Sequence, residues 1–344
     1  MTTPREVVDT LLADRPRGFP SADAVADAYA PANIALVKYW GKRNESLHLP
    51  VTSSLSLSLG SLGSRVRLSR ADAPADRIFL NGQPLSSDSA FARRASAWLD
   101  LFRPAPLPDF AFELRAINTI PTAAGFASSA SGFAALAKAV DELFAWRLPL
   151  REQSILARLG SGSAARSLFH GFVLWQAGRQ PDGMDSVAEP IPETWPALRM
   201  AACVLCDAPK PLGSGAAMKR SVETCPFYSQ WPALVERDLA GLQSAIHAHD
   251  LPRLGEIAES NALAMHSLMM ATRPPILYAL PQTLTAIHTV CQARQQGIPV
   301  WFTMDAGPNL KLLFEASSEP DVRALFPEMN AIAPFAPFEP PPAP

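Results

Sequence analysis

Residues 118–133, NTIPTAAGFASSASGF, constrain this chain more than any other stretch. They begin as a polar turn, pass through Gly125 and reach Ser128, Ser129 and Ser131, where the pattern predicts the start of a helix. Phe133, Leu136, Val140 and Leu143 follow at the spacing of a helix with one buried face. Small side chains let a backbone approach a ligand closely. A helix start offers unpaired N–H groups and a partial positive charge, which suits a phosphate. Two readings stand open from these residues alone. One is a loop that holds the phosphates of a nucleotide; the other is a small-residue loop that leads into a packed helix.

The rest of the composition narrows the partners. A chain of 344 residues is long enough for one large or two medium domains. Its formal net charge of -2 supplies no basic field for DNA or RNA, so no nucleic-acid partner is expected. An anionic ligand therefore needs a local cluster of cations. The four cysteines, Cys203, Cys206, Cys225 and Cys291, are sparse and read as free thiols rather than disulfides or metal ligands. His170, His266 and His288 show no metal-site spacing. No apolar run is long enough to span a bilayer, and charged residues interrupt the N-terminus, so the expectation is a cytoplasmic protein without a membrane partner. No Gly-rich motif ends in Gly-Lys-Ser/Thr, which disfavours a Walker-type kinase.

Along the chain, residues 1–26 read as an N-terminal extension containing a helix, and 27–60 as loop and strand. Residues 32–43, ANIALVKYWGKR, bring Lys38, Lys42 and Arg43 close to Tyr39 and Trp40. Such cations are solvated surface residues or the wall of an anion-binding cleft. Residues 54–59 alternate Ser and Leu, the pattern of a strand with one apolar face, with 65–69 as its partner. Residues 78–80 are a short strand closed by Asn81-Gly82, a hairpin turn signal, and Arg77 stands just before it. Residues 149–159 predict a helix that stops at Gly160-Ser161-Gly162-Ser163. With Arg166 just beyond, this is a surface turn or a second substrate loop, since arginine offers a planar fork to a carboxylate. Residues 176–196, rich in Gly and Pro, are the best linker. Beyond them come a strand near 200–206, a small-residue loop at 213–217 and a helix from Met218. Further helices are predicted over 230–247, 252–270 and 281–296, and strands over 300–304 and 310–314. Asp305 falls in the Asp-Ala-Gly-Pro-Asn turn between the last two strands, as a turn-former or a functional acid. The proline-rich end, 334–344, cannot form a packed helix.

In order, ALVKYWGKRN, PTAAGFASSASGF, RLGSGSAARS and MDAGPN resemble the diphosphomevalonate decarboxylases. These belong to the superfamily of galactokinase, homoserine kinase, mevalonate kinase and phosphomevalonate kinase. The matching segments extend from about residue 27 to about residue 330. The resemblance implies an α+β, two-domain small-molecule kinase fold. Its N-terminal domain, residues 27–190, would be ribosomal protein S5-like and its C-terminal domain, 191–333, ferredoxin-like. It implies an ATP-dependent lyase that needs Mg2+ and acts on a phosphorylated mevalonate, and homodimers are common in the family. Asp305, Lys38 and Arg166 would be catalytic. Tyr39, Lys42, Arg77, Ser161 and Ser163 would hold the substrate, with Met218 closing over it. Ala124, Gly125, Ala127, Ser128 and Ser129 would hold the ATP phosphates. The resemblance assigns no protein ligands to the metal. Alternatives are a decarboxylase of 5-phosphomevalonate or mevalonate 3,5-bisphosphate, a mevalonate 3-kinase, and a non-catalytic small-molecule-binding homologue. The chain departs from the family pattern at Phe126, usually leucine, and over 209–218, PKPLGSGAAM, where relatives carry a Val-Ser-Ser run.

Overall fold

The computed structural model describes residues 2–16, 18, 20–21, 23–103, 110–120, 128–208 and 210–344. Its first half runs α1 (Pro4–Leu11), β1 (Val25–Val37), β2 (Lys42–Asn44), β3 (Leu49–Pro50), β4 (Ser54–Ala71), β5 (Arg77–Leu80) and β6 (Gln83–Pro84). Then come α2 (Ala90–Leu99), β7 (Ala111–Asn118), α3 (Ser128–Leu143), α4 (Leu150–Gly160), β8 (Phe172–Trp175) and β9 (Ala188–Pro190). Among the described residues, β6-β5-β7-β4-β8-β9 form a sheet in that order, with β1 paired to β4 as its seventh strand. The β5–β6 hairpin turns at Asn81 and Gly82, both at positive φ, as the dipeptide predicts.

The expected pair of strands at 54–59 and 65–69 is a single strand, β4. Its true partners are β1, β7 and β8. The alternation of Ser and Leu does not mark one wet face either, because residues 54–59 are all buried. Leu55, Leu57 and Leu59 enter a core shared with Trp231, Val235, Leu254 and Met265 of the second half, and the serines are covered on the opposite face. Each leucine buried this way contributes about 1.5–3 kcal/mol relative to exposure. Small hydroxyls at 54, 56 and 58 let other segments approach that opposite face closely.

The second half runs β10 (Leu198–Cys203), α5 (Ser214–Thr224), α6 (Trp231–Ala248), α7 (Leu251–Met270), α8 (Pro281–Gln295), β11 (Val300–Met304), β12 (Leu310–Glu315), α9 (Glu319–Leu325) and β13 (Asn330–Ile332). Its antiparallel sheet has the order β11-β12-β10-β13. The helix expected from Met218 starts earlier, at Ser214, with Gly213 in extended conformation before it. The 213–217 stretch is thus mostly first helical turn rather than loop, since two alanines follow Ser214-Gly215 and favour helix. Residues 176–196 are not a free linker: β9 adds to the first sheet, and Val187, Ala188 and Trp195 are buried. The apolar members of this stretch outweigh its glycines and prolines. No helix among the described residues is long and apolar enough to cross a membrane.

After β13 the chain returns to the first half. Phe335 packs on Phe172, and Phe338 packs on Tyr29 and His170. Arg65 donates to the Pro341 carbonyl. The proline-rich end is therefore docked.

Candidate functional site

Two strand ends meet between the sheets. β1 ends at Val37 and β11 at Met304, and the next residues are Lys38 and Asp305. Lys38 Nζ donates to Asp305 Oδ1 at 3.0 Å and to the Ala35 carbonyl at 2.6 Å. The Lys38 backbone N–H donates to Asn261 Oδ1, and Asn261 in turn donates to Asp238. Lys311 Nζ lies 3.8 Å from the other Asp305 oxygen, Oδ2. Burial alone would raise the Asp305 carboxyl, but Lys38, Lys311 and Lys210 more than reverse this and hold it well below the usual carboxylate range. Burial pushes the Lys38 and Lys210 ammonium groups down, against the attraction of Asp305. His266 is also pushed down by burial, to about 4, so the ring is neutral; its Nε2 donates to the Asp305 carbonyl at 2.9 Å.

Arg166 approaches from the first half, on a short 3-10 helix at Gly162–Leu168. Its Nη1 donates to Ser54 Oγ at 2.6 Å and its Nε to Asn33 Oδ1 at 3.2 Å. Asn33 donates onward to the Ser163 carbonyl and to Ser167 Oγ. The guanidinium lies over the Trp175 ring, 5.6 Å from its centroid. Burial lowers its pKa to about 10, which leaves it cationic at neutral pH. The buried serines of β4 thus have a use: Ser54 accepts from Arg166.

A cavity of about 470 Å³ joins these groups. Asp305, Lys38 and Arg166 all line it, as do Tyr39, Lys42, Ser129, Ser161, Ser163 and Met218. Ser129 Oγ and Ser161 Oγ are 3.5 Å apart, so the start of α3 and the end of α4 share one wall. The Tyr39 hydroxyl is buried without a partner among the described residues, and burial raises its pKa. Lys42 is paired with Glu45 at 2.8 Å. Ala124, Gly125 and Ala127 lie outside the described residues, as does the Ser128 side chain.

Arg77 is not part of this wall. It is exposed on β5, where its register sets it opposite Glu113 of β7, at 3.8 Å. Arg94 of α2 lines the cavity instead, donating to the Gly160 carbonyl at 3.1 Å and lying over Phe133. The sequence reading also passed over Asn33, His48, Lys210 and Lys311. Of these, Lys311 left a trace: a lone cation in an otherwise apolar strand, LKLLF. Asp305 is the only acid lining the cavity among the described residues, and no group of His, Cys, Asp or Glu there could hold a metal ion.

The model of the diphosphomevalonate decarboxylase-like N-terminal domain matches residues 30–188. The model of the mevalonate 5-diphosphate decarboxylase C-terminal domain matches residues 200–334. The chain belongs to the diphosphomevalonate decarboxylase family. It is 35% identical to the diphosphomevalonate decarboxylase of Candida albicans over 314 residues, 87% of each chain. The solved mevalonate diphosphate decarboxylase from Enterococcus faecalis, described with a mevalonate diphosphate-mediated ATP binding mechanism, superposes with a TM-score of 0.83. It is 38% identical, over 91% of this chain and 98% of that one. A second solved structure, in complex with MVAPP, AMPPCP and magnesium, has a TM-score of 0.84 and is 39% identical, over 92% of this chain and 99% of that one. The two-domain fold of this family, of the galactokinase and mevalonate kinase type, is the fold of this chain.

Proposed function

We infer that the protein catalyses the ATP-dependent decarboxylation of (R)-5-diphosphomevalonate to isopentenyl diphosphate, CO2, ADP and phosphate. The single observation that carries this, beside the family, is that Asp305, Lys38 and Arg166 line one cavity. The tertiary C3 hydroxyl of such a substrate is a poor leaving group, and phosphorylation makes it a good one. Asp305 orients that hydroxyl toward the terminal phosphate of ATP. Its pairing with two lysines suits positioning better than proton removal, because a loose phosphoryl transfer needs little early deprotonation. Lys38 offsets the negative charge that develops at the transferring group. Arg166 holds the C1 carboxylate so that the C1–C2 bond lines up with the breaking C3–O bond. As phosphate leaves C3 with the C3–O bonding pair, the C1–C2 bonding pair forms the new C2=C3 double bond, a carboxylate lone pair closes the second C=O, and CO2 departs.

Lys42, Arg94, Tyr39, Ser161 and Ser163 take the phosphorylated end of the substrate, and Met218 closes over it. Ser129 contacts the ATP phosphates. Three lysines around a single carboxylate fit a phosphate-rich ligand, and Mg2+ arriving with ATP would neutralise further phosphate charge there. Among the described residues the one cavity-lining acid is already held by lysines, so the metal would be carried in with the nucleotide rather than held by protein carboxylates. We read residues 27–190 as the ribosomal protein S5-like half, because helices α3 and α4 back a large mixed sheet. We read 191–333 as the ferredoxin-like half, because α7 and α8 cover a four-stranded antiparallel sheet.

The test mixes the protein with Mg-ATP and, separately, mevalonate, its 5-phosphate, 5-diphosphate and 3,5-bisphosphate, and measures ADP and CO2 together. Equal ADP and CO2 with the 5-diphosphate is the expected result. ADP without CO2 means a kinase, and neither product with any candidate means a binding protein.

A further inference from the structure

Lys311 is almost fully buried, does not line the cavity, and still reaches the acid at its centre. It is the second residue of β12, opposite Thr303 of β11 and Ala202 of β10, flanked by Leu310, Leu312, Leu313 and Phe314. The register carries its ammonium group to Asp305 Oδ2 at 3.8 Å, while Lys38 holds Oδ1 at 3.0 Å. One cation comes from each half of the molecule, so both ends of the carboxylate are engaged and its plane is fixed. Buried ammonium groups are costly, and a site that needed only a paired acid would manage with Lys38. The charged groups around Lys311 are Asp305, Lys38 and Lys210, with His266 beside them on α7 and Arg166 across the cavity.

We propose that Lys311 is a positioning residue that keeps Asp305 ionised and oriented while Lys38 turns its charge toward the transferring phosphoryl group. Lys38 lines the cavity and is drawn on by the reaction; Lys311, behind the acid, is not. Without it, Asp305 would be left with Lys210 as its counter-charge at the moment Lys38 is shared, and would take a proton more readily. This assignment rests on the decarboxylase reading of the cavity. Burial pushes the Lys311 ammonium down to about 8, with Asp305 opposing and Lys38 and Lys210 reinforcing the shift. The group is therefore charged below that pH and loses its proton as pH rises through it.

The experiment compares the full-length protein with Lys311→Met and Lys311→Arg. Methionine has a similar volume and Asp305 keeps Lys38 and Lys210 beside it, so the variant should still fold, which a cooperative thermal transition checks. In Lys311→Met, kcat for the 5-diphosphate should drop about tenfold or more with KM within about threefold, and the alkaline limb near pH 8 should vanish. Lys311→Arg should restore kcat and move that limb above about pH 10, since a guanidinium keeps its proton. A readout that needs no substrate stands beside these: a carbon-13 titration of the Asp305 carboxyl, which should rise in Lys311→Met. An unchanged carboxyl titration in that variant would overturn the proposal whatever the substrate proves to be. So would a kcat and pH profile matching the starting protein. Failure of the starting protein to release CO2, with the carboxyl shift present, would instead count against the decarboxylase reading alone.

Discussion

The two ends of the cavity are built on opposite plans. At one end a single acid, Asp305, is surrounded by Lys38, Lys210 and Lys311 before any ligand arrives. At the other, Lys42 is already paired with Glu45, Arg94 is bonded to a backbone carbonyl, and burial with the nearby cations Lys42, Arg94 and Arg158 holds His48 down at about 3, and so neutral. The first end has its charges fixed in place and has little to reorganise. On the proposed reading the second exchanges internal partners for the ligand's phosphates, so its contacts should govern binding more than rate. Preorganised charge acts on the transition state, whereas exchangeable contacts act on the bound ground state as well.

That contrast can be broken in several places. The largest effect belongs to Asp305→Asn, which should lower kcat by about a thousandfold or more while nucleotide affinity, read by calorimetry, stays within about threefold. Normal turnover would remove Asp305 from the chemistry. Arg166→Ala should cost about a hundredfold to a thousandfold in kcat/KM, because the carboxylate loses its fork and Asn33 and Ser54 lose their donor. A full rate would mean that the carboxylate is held elsewhere. At the other end, Arg94→Ala should raise KM about tenfold or more with kcat within about threefold; a loss confined to kcat would erase the distinction between the ends. A gentler probe is acid. Asp305 is held far below the ordinary carboxylate range, so it stays ionised and kcat should show no Asp305 titration between about pH 7 and about pH 5. An acid limb that Asp305→Asn abolishes would contradict this. The smallest effect is Arg77→Ala, within about twofold in both kcat and KM, because the side chain is exposed and pairs with Glu113.

Much of this was legible in the residues. The helix behind 118–133, the Asn81-Gly82 hairpin, and the placement of Asp305 after an apolar strand all follow from local chemistry, and local chemistry is what sequence patterns carry. Arg77 and Arg94 show the limit. Arg77 opens the β5–β6 hairpin and Arg94 follows it on α2, but the register of β5 against β7 turns Arg77 out to Glu113, and the packing of α2 on Phe133 turns Arg94 in. Such choices depend on pairings across long separations. The burial of Ser54, Ser56 and Ser58 was hidden for a related reason: alternation predicts one covered face, and cannot say that a second layer covers the other. Residues 209–218 and 121–127 differ, since the first stretch is legible only as a departure from the family pattern and the second falls outside the described residues.

The docked C-terminal end has a mechanical consequence. Phe338 grips Tyr29, near the start of β1, while Lys38 stands just past the finish of the same strand. Nine residue steps of largely extended chain separate them, about 30 Å. β13, in the other sheet, is joined to that grip by only a few residues. The C-terminal end thus ties the second sheet to the first half near the start of β1, while Lys38, Asn261 and Asp305 tie the halves at the cavity itself. Removing the residues after β13 would take away the first tie without touching a residue that lines the cavity.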